Sequence, residues 1–270
     1  MNSAERKMLD LLKKGRDEYG VVAVKAEFEA EGTRPDELLR LLELAQRADL
    51  KVALKIGGCE AVSDLHACKL YGAGYVIAPM VETPYALSKF IDARGKVYPA
   101  NEERAKFYFN LETETTLRNL DEMIAKARGK VDGIVFGRVD FTLSRGMPRD
   151  GVNDTAITEA VLKVAHACAR ADLELVVGGG VSTSAIAALR QFRSVRLDRF
   201  ETRKIIFDGK ACTEESIGEG IANAVQFELA WLRNKRDYYK AISMEDDARI
   251  GMMEARLEKA EPEQRFARVA

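Results

Sequence analysis

The sequence predicts an α/β protein: a closed (β/α)8 TIM barrel with additional C-terminal helices. Short apolar runs of strand length alternate with longer segments whose apolar residues recur three and four apart, which is the pattern of a β/α repeat. Charged residues gather late in those strands, where a parallel barrel keeps its active site. The chain has 270 residues, 47% hydrophobic and 31% charged, enough for one barrel-sized domain spanning residues 1–270. An open doubly wound sheet competes, but the triple glycine at 178–180 lacks the GxGxxG spacing of a dinucleotide-binding turn.

Residues 1–20 read as an N-terminal helix, with Met8, Leu11 and Leu12 at helical spacing among charges. The run 21–29 alternates, placing Lys25, Glu27 and Glu29 on one face and Val22, Val24, Ala26 and Phe28 on the other. Leu38, Leu39, Leu42 and Ala45 mark the helix that follows. Further strands are expected at 52–56, with Lys55 late in the run, at 75–81, followed by Glu82, and at 107–112, 133–136 and 173–177. A seventh, 199–207, is interrupted by Glu201, Arg203 and Lys204. The eighth strand is expected at 96–99 or in the N-terminal segment. Between about 213 and 260, Thr213 and Ser243 read as caps of two helices, the second striped by Ile250, Met253 and Leu257. That stripe needs a partner, so packing into a homo-oligomer is expected.

The formal net charge of −1 offers no case for a polyanionic partner, and the basic aromatic run at 233–240 reads as a solvated helix end. Cys59, Cys68, Cys168 and Cys212 form no CxxC pair, as expected of reduced thiols. Neither a signal peptide nor a membrane span is expected, and the predicted location is cytoplasmic.

The chemistry centres on two acids. The runs 107–112 and 133–140 end in Glu112 and Asp140, with a helix-like segment between them. In a parallel barrel the two strand ends lie side by side, which makes the acids neighbours. Two such carboxylates repel unless a cation sits between them, and Mg²⁺ is commonly held by one or two carboxylates plus water and substrate oxygens. A metal site is therefore expected.

The segment LETETTLRNLDEMIAKARGKVDGIVFGRVDFTLSRG (111–146) resembles the signature of the HpcH/HpaI aldolase and citrate lyase family, and LYGAGYVIAPMVETPYAL (70–87) is similar to the same family's upstream stretch. The resemblance implies a metal-dependent barrel that makes or breaks a carbon–carbon bond next to a carbonyl. It makes Glu112 and Asp140 the ligands of one Mg²⁺ or Mn²⁺ per chain. It places the backbone N–H groups of Val139 and Asp140 against the carboxylate of a 2-oxo acid such as pyruvate, beside the small Gly137. The family's strand-end Arg corresponds here to Lys55, which supplies charge without a planar fork. The family's early His has no counterpart, because that segment reads EFEAEGT. His66 and His166 lie in helical segments and read as packing or surface residues.

Glu29 is then the expected proton-transfer residue, and its crowding with Glu27 is expected to raise the pKa of one of the two acids. Lys25, Glu82 and Arg138 are expected to contact substrate, and the loops 98–106 and 147–155 to choose the aldehyde. The resemblance leaves two alternatives: an acyl-CoA thioester lyase of the citrate lyase beta-subunit type, or a barrel that has lost catalysis and serves as a scaffold.

Overall fold

A computed structural model describes residues 1–99 and 105–267, with side chains to residue 259; within the loop 98–106, residues 100–104 lie outside the described residues. The chain divides into two compact units, Met1–Glu228 and Leu229–Ala270.

The first unit opens with α1 (Ser3–Tyr19), whose amino end is closed by reciprocal bonds between Asn2 and Glu5, of 2.8 Å and 2.7 Å. Gly20, at φ 70°, ends it in the left-handed conformation that glycine adopts without strain. There follow β1 (Val21–Glu27), α2 (Pro35–Arg47), β2 (Lys51–Lys55), α3 (Val62–Leu70), β3 (Tyr75–Ala78) and α4 (Pro84–Val97). Next come β4 (Lys106–Leu111), α5 (Glu114–Arg118), α6 (Leu120–Ala127), β5 (Gly133–Gly137) and α7 (Arg138–Ser144). The order ends with α8 (Thr155–Ala171), β6 (Glu174–Gly178), α9 (Ile186–Arg193), β7 (Arg199–Glu201), β8 (Ile205–Asp208) and α10 (Ile217–Ala267). The eight strands close into a barrel in sequence order.

Three expectations are corrected. The eighth strand lies neither at 96–99, which is the end of α4 and its cap, nor in the N-terminal segment, which is α1. It is the second half of the run 199–207. The polar residues there form a turn, closed by a 2.9 Å bond from Thr202 N to Ile205 O, and β8 pairs antiparallel with both β7 and β1. Without a crossover helix the chain can only return in the opposite direction. The two expected C-terminal helices are one: α10 runs unbroken, Ser243 lies inside it, and Thr213 ends a short 3-10 turn ahead of it. In the second unit Ile250, Met253 and Leu257 are exposed. Among the described residues no helix is long and apolar enough to cross a membrane.

Side-chain alternation stacks the barrel interior in layers. One layer is Ala23, Ala53, Tyr75, Ile77, Tyr108, Val135, Val176 and Ile206, all buried. Two positions nearer the mouth, the same strands carry Lys25, Lys55, Asn110, Gly137, Gly178 and, on the reversed strand side, Lys204. The apolar layer thus forms the base of a charged chamber. At the opposite end, Glu174 accepts hydrogen bonds from Lys106, Tyr108 and Arg199, and the Arg199 guanidinium stacks 4.8 Å from the Tyr75 ring centre.

Burial opposes the charge on Glu174, but its three donors outweigh that and hold its pKa down at about 2. The stabilisation is therefore in place above the ordinary carboxylate range and is lost as pH falls toward 2. Glu174→Gln is expected to cost roughly 1–3 kcal/mol at neutral pH. Urea unfolding measured across pH should show the gap between variant and wild type closing in acid.

Candidate active site

Glu112 follows β4 directly and is 2% exposed. Its Oε1 accepts from the backbone N–H of Met80 at 2.9 Å and its Oε2 from Asn110 Nδ2 at 2.7 Å. Met80 achieves this at φ 49°, a left-handed conformation that costs a non-glycine residue about 1–3 kcal/mol. On the adjoining strand, a Cβ on Gly137 would stand 2.9 Å from both Cβ and Oε2 of Glu112. The carboxylate therefore lies in the space that the missing side chain leaves. Burial raises its pKa, partly offset by Lys55 and its two donors, and Asp140 adds to the rise.

Asp140 is placed differently from the expected strand end. The chain leaves β5 at Gly137 and turns at once into α7, so Asp140 sits in that helix's first turn, exposed. Helix N-termini tolerate an acid there, because unpaired N–H groups point toward it. Among the described residues Asp140 makes no hydrogen bond or ion pair, although its charge reaches Glu112.

Lys55 lies between acids, with Nζ 3.1 Å from Glu29 Oε2 and 3.8 Å from Glu112 Oε2. Burial would discharge it, but Glu112, Glu27 and Glu29 together raise its pKa and keep it an ammonium. Lys25 is committed in the same way, at 2.5 Å from Glu201 Oε1 and 3.2 Å from Glu27 Oε1. The crowding expected to raise a carboxyl of the Glu27–Glu29 pair is absent at Glu27. Burial pushes its pKa up, yet Lys25 and Lys55 outweigh burial and hold it below the ordinary range.

Glu82 is held beside Thr113: its Oε1 accepts from Thr113 Oγ1 at 2.7 Å, and its carbonyl from Asn119 Nδ2 at 2.9 Å. Thr113 in turn caps α5, so Glu82 steadies the residue next to Glu112. Arg138 is 1% exposed and points toward β6, where Nε meets the Gly178 carbonyl at 3.4 Å. His66 and His166 are exposed on α3 and α8. The expected residues thus divide: Glu112 and Glu29 each meet Lys55, Asp140 acts on Glu112 through its charge, and Lys25, Glu82 and Arg138 each hold other partners.

Glu201 was not among the expected site residues. It is 4% exposed, lies across the chamber from Glu112, and occupies the space over Gly178, where a Cβ would come within 2.9 Å of its Cγ. Its signal was the alternation of Arg199 and Glu201, hidden when 199–207 is taken as one strand. The loop after β1 is tied to the same corner, since Glu31 pairs with Arg203 at 3.0 Å and with Lys204.

The donor set suits a hard divalent ion. Two carboxylates flank the end of β5, and among the described residues no set of three His, Cys, Asp or Glu side chains converges. A two-carboxylate site leaves the other positions to water and substrate oxygens, as is usual for Mg²⁺.

A closed barrel whose buried acids and ammoniums meet at one mouth is the architecture of an enzyme site rather than of a packed core. The HpcH/HpaI aldolase/citrate lyase family matches residues 37–213, and the chain belongs to that family. The family is one of lyases. A solved structure of an HpcH/HpaI aldolase from Desulfitobacterium hafniense DCB-2 is similar in fold, with a TM-score of 0.57 at 13% identity, covering 72% of this chain and 82% of that one. RipC from Yersinia pestis aligns over 77% of this chain and 87% of its own, with 14% identity and a TM-score of 0.48. No curated protein sequence matches.

Lys55→Met should show how far the acids depend on their ammonium. Leaving Glu112 and Glu29 uncompensated is expected to cost roughly 3–5 kcal/mol at neutral pH. Because the folded-state pKa of Glu112 is already raised and would rise further, the loss should shrink as pH falls and the carboxyl takes up a proton. Denaturant unfolding at several pH values measures it.

Proposed function

We propose that this chain is a divalent-metal-dependent carbon–carbon lyase, joining or separating a 2-oxo acid such as pyruvate and an aldehyde. The observation that carries this reading is Glu112: a carboxylate buried at a strand end, held by one strained N–H and one amide, one strand away from an exposed Asp140. Burying an acid in this way is costly unless the group works, and its place in a lyase family gives the work. Glu112 and Asp140 would hold one Mg²⁺ or Mn²⁺. When bound, such an ion supplies Lewis-acid stabilisation of charge developing on the oxo-acid oxygens.

The chain's own residues do the rest. The backbone N–H groups of Val139 and Asp140, at the open first turn of α7, receive the substrate carboxylate. Gly137 lets it approach. Lys55, kept charged by its acids, adds a fixed positive charge at the same place. Glu29, the exposed partner of Lys55, moves the proton at the carbon next to the carbonyl. Lys25 and Glu82 act as positioning residues, Lys25 through Glu27 and Glu201, Glu82 through Thr113.

The test is exchange of the methyl protons of pyruvate in deuterated water, with Mn²⁺ present. Wild type should exchange them, a chelator should stop it, and Glu112→Gln or Asp140→Asn should lower the rate roughly a hundredfold or more while the fold is retained. Undiminished exchange in both variants would contradict the assignment. Absence of exchange and of metal binding in the wild type would favour the scaffold reading.

A further inference from the structure

Among the described residues, buried cations come with carboxylates, with one exception. Lys25 has Glu27 and Glu201, Lys55 has Glu29 and Glu112, and Lys204 has Glu31. Arg138, 1% exposed, has no carboxylate within ion-pair distance among the described residues. Its Nε reaches the Gly178 carbonyl at 3.4 Å, its Nη1 reaches Asn153 Oδ1 at 3.0 Å, and its Nη2 is buried without a partner. A buried guanidinium left with two neutral acceptors is destabilising, and a bound anion would account for its retention.

The surroundings fit such an anion. From the guanidinium a line of neutral hydrogen bonds runs outward: Asn153 Nδ2 meets Ser184 Oγ at 3.1 Å, and Ser184 Oγ lies 2.8 Å from Ser182 Oγ. Both serines are exposed. Each link can donate to an oxyanion, and an anion that displaces the Asn153 carboxamide from Nη1 exchanges a neutral hydrogen bond for a charge-assisted one. Gly179, at φ 79°, keeps the loop close over this corner, since a Cβ there would lie 2.9 Å from Arg138 N.

We propose that Arg138, Asn153, Ser182 and Ser184 form a phosphoryl-binding subsite, and that the substrate is a phosphorylated carbonyl compound. A carboxylate offers two oxygens, whereas a guanidinium fork, a carboxamide and two hydroxyls suit the three terminal oxygens of a phosphate monoester. The subsite lies on the β6 side of β5, and Glu112 packs on Gly137 from the β4 side. A substrate reacting beside Glu112 would thus extend its phosphoryl group across the end of β5. That alignment rests on the lyase reading; anion binding itself does not.

The experiment is thermal unfolding of the full chain, without metal, in sodium phosphate against sodium chloride and sodium acetate of equal ionic strength. Phosphate should raise the melting temperature of wild type and acetate should not. Arg138→Met should lose the phosphate response while melting in chloride no lower than wild type, because the unpaired charge is gone. Absence of a phosphate response in wild type, an equal response to acetate, or a response retained in Arg138→Met would overturn the proposal. If Arg138→Met fails to fold, the exposed double substitution Ser182→Ala with Ser184→Ala decides: a reduced response supports the subsite and an unchanged one overturns it. Neither metal nor turnover enters the readout, so failure of the lyase reading and failure of the subsite are seen separately.

Discussion

Charges taken below the barrel mouth are costly unless paired, and the rest of the site follows from how this chain pairs Lys25 and Lys55. Two ammoniums, Lys25 and Lys55, are each set between acids, giving the sequences Glu201–Lys25–Glu27 and Glu29–Lys55–Glu112 around the chamber wall. Removing one member of such a set leaves an uncompensated buried charge, so the arrangement is fixed as a whole. The carboxylates also need room. Gly137 and Gly178, paired in register on β5 and β6, provide it, one under Glu112 and the other under Glu201.

The reversed eighth strand belongs to the same constraint. A β/α crossover after β7 would bring in a loop and a helix at this corner; the hairpin brings in a short turn, with Lys204 and Arg203 facing Glu31. The Lys204 carbonyl also accepts the Lys25 N–H at 2.8 Å, so the strand that closes the barrel holds β1 where Lys25 reaches Glu201. Barrel closure and the geometry of the charged chamber are therefore one feature. The apolar layer beneath, from Ala23 to Ile206, keeps water from entering below.

Much of this could be read from the residues alone. Alternation placed Lys25 and Glu27 on one face of β1, and the spacing of Glu112 from Asp140 identified adjacent strands, because period two and the length of a β/α unit are local properties. What escaped was non-local. The run 199–207 reads as one strand because Thr202–Lys204 contains neither glycine nor proline, and only pairing with β1 shows that the chain has turned back. Asp140 reads as a strand end because the apolar run continues past Gly137 into α7. The two helices expected after residue 213 merge because Ser243, which could cap a helix, sits inside one without ending it. Glu201 was visible as a charge but not as a site residue, since its importance comes from Gly178 on another strand.

The central claim is that Glu112 and Asp140 bring an acid buried at a strand end and an acid exposed on a helix's first turn to one cation. Anomalous diffraction from crystals soaked in Mn²⁺ tests it most directly. The account predicts a single strong peak between the two carboxylates, with oxygen ligands filling the remaining positions. A mouth without a peak, or a peak held by other residues while Lys55 and Glu112 remain as they are here, would contradict it.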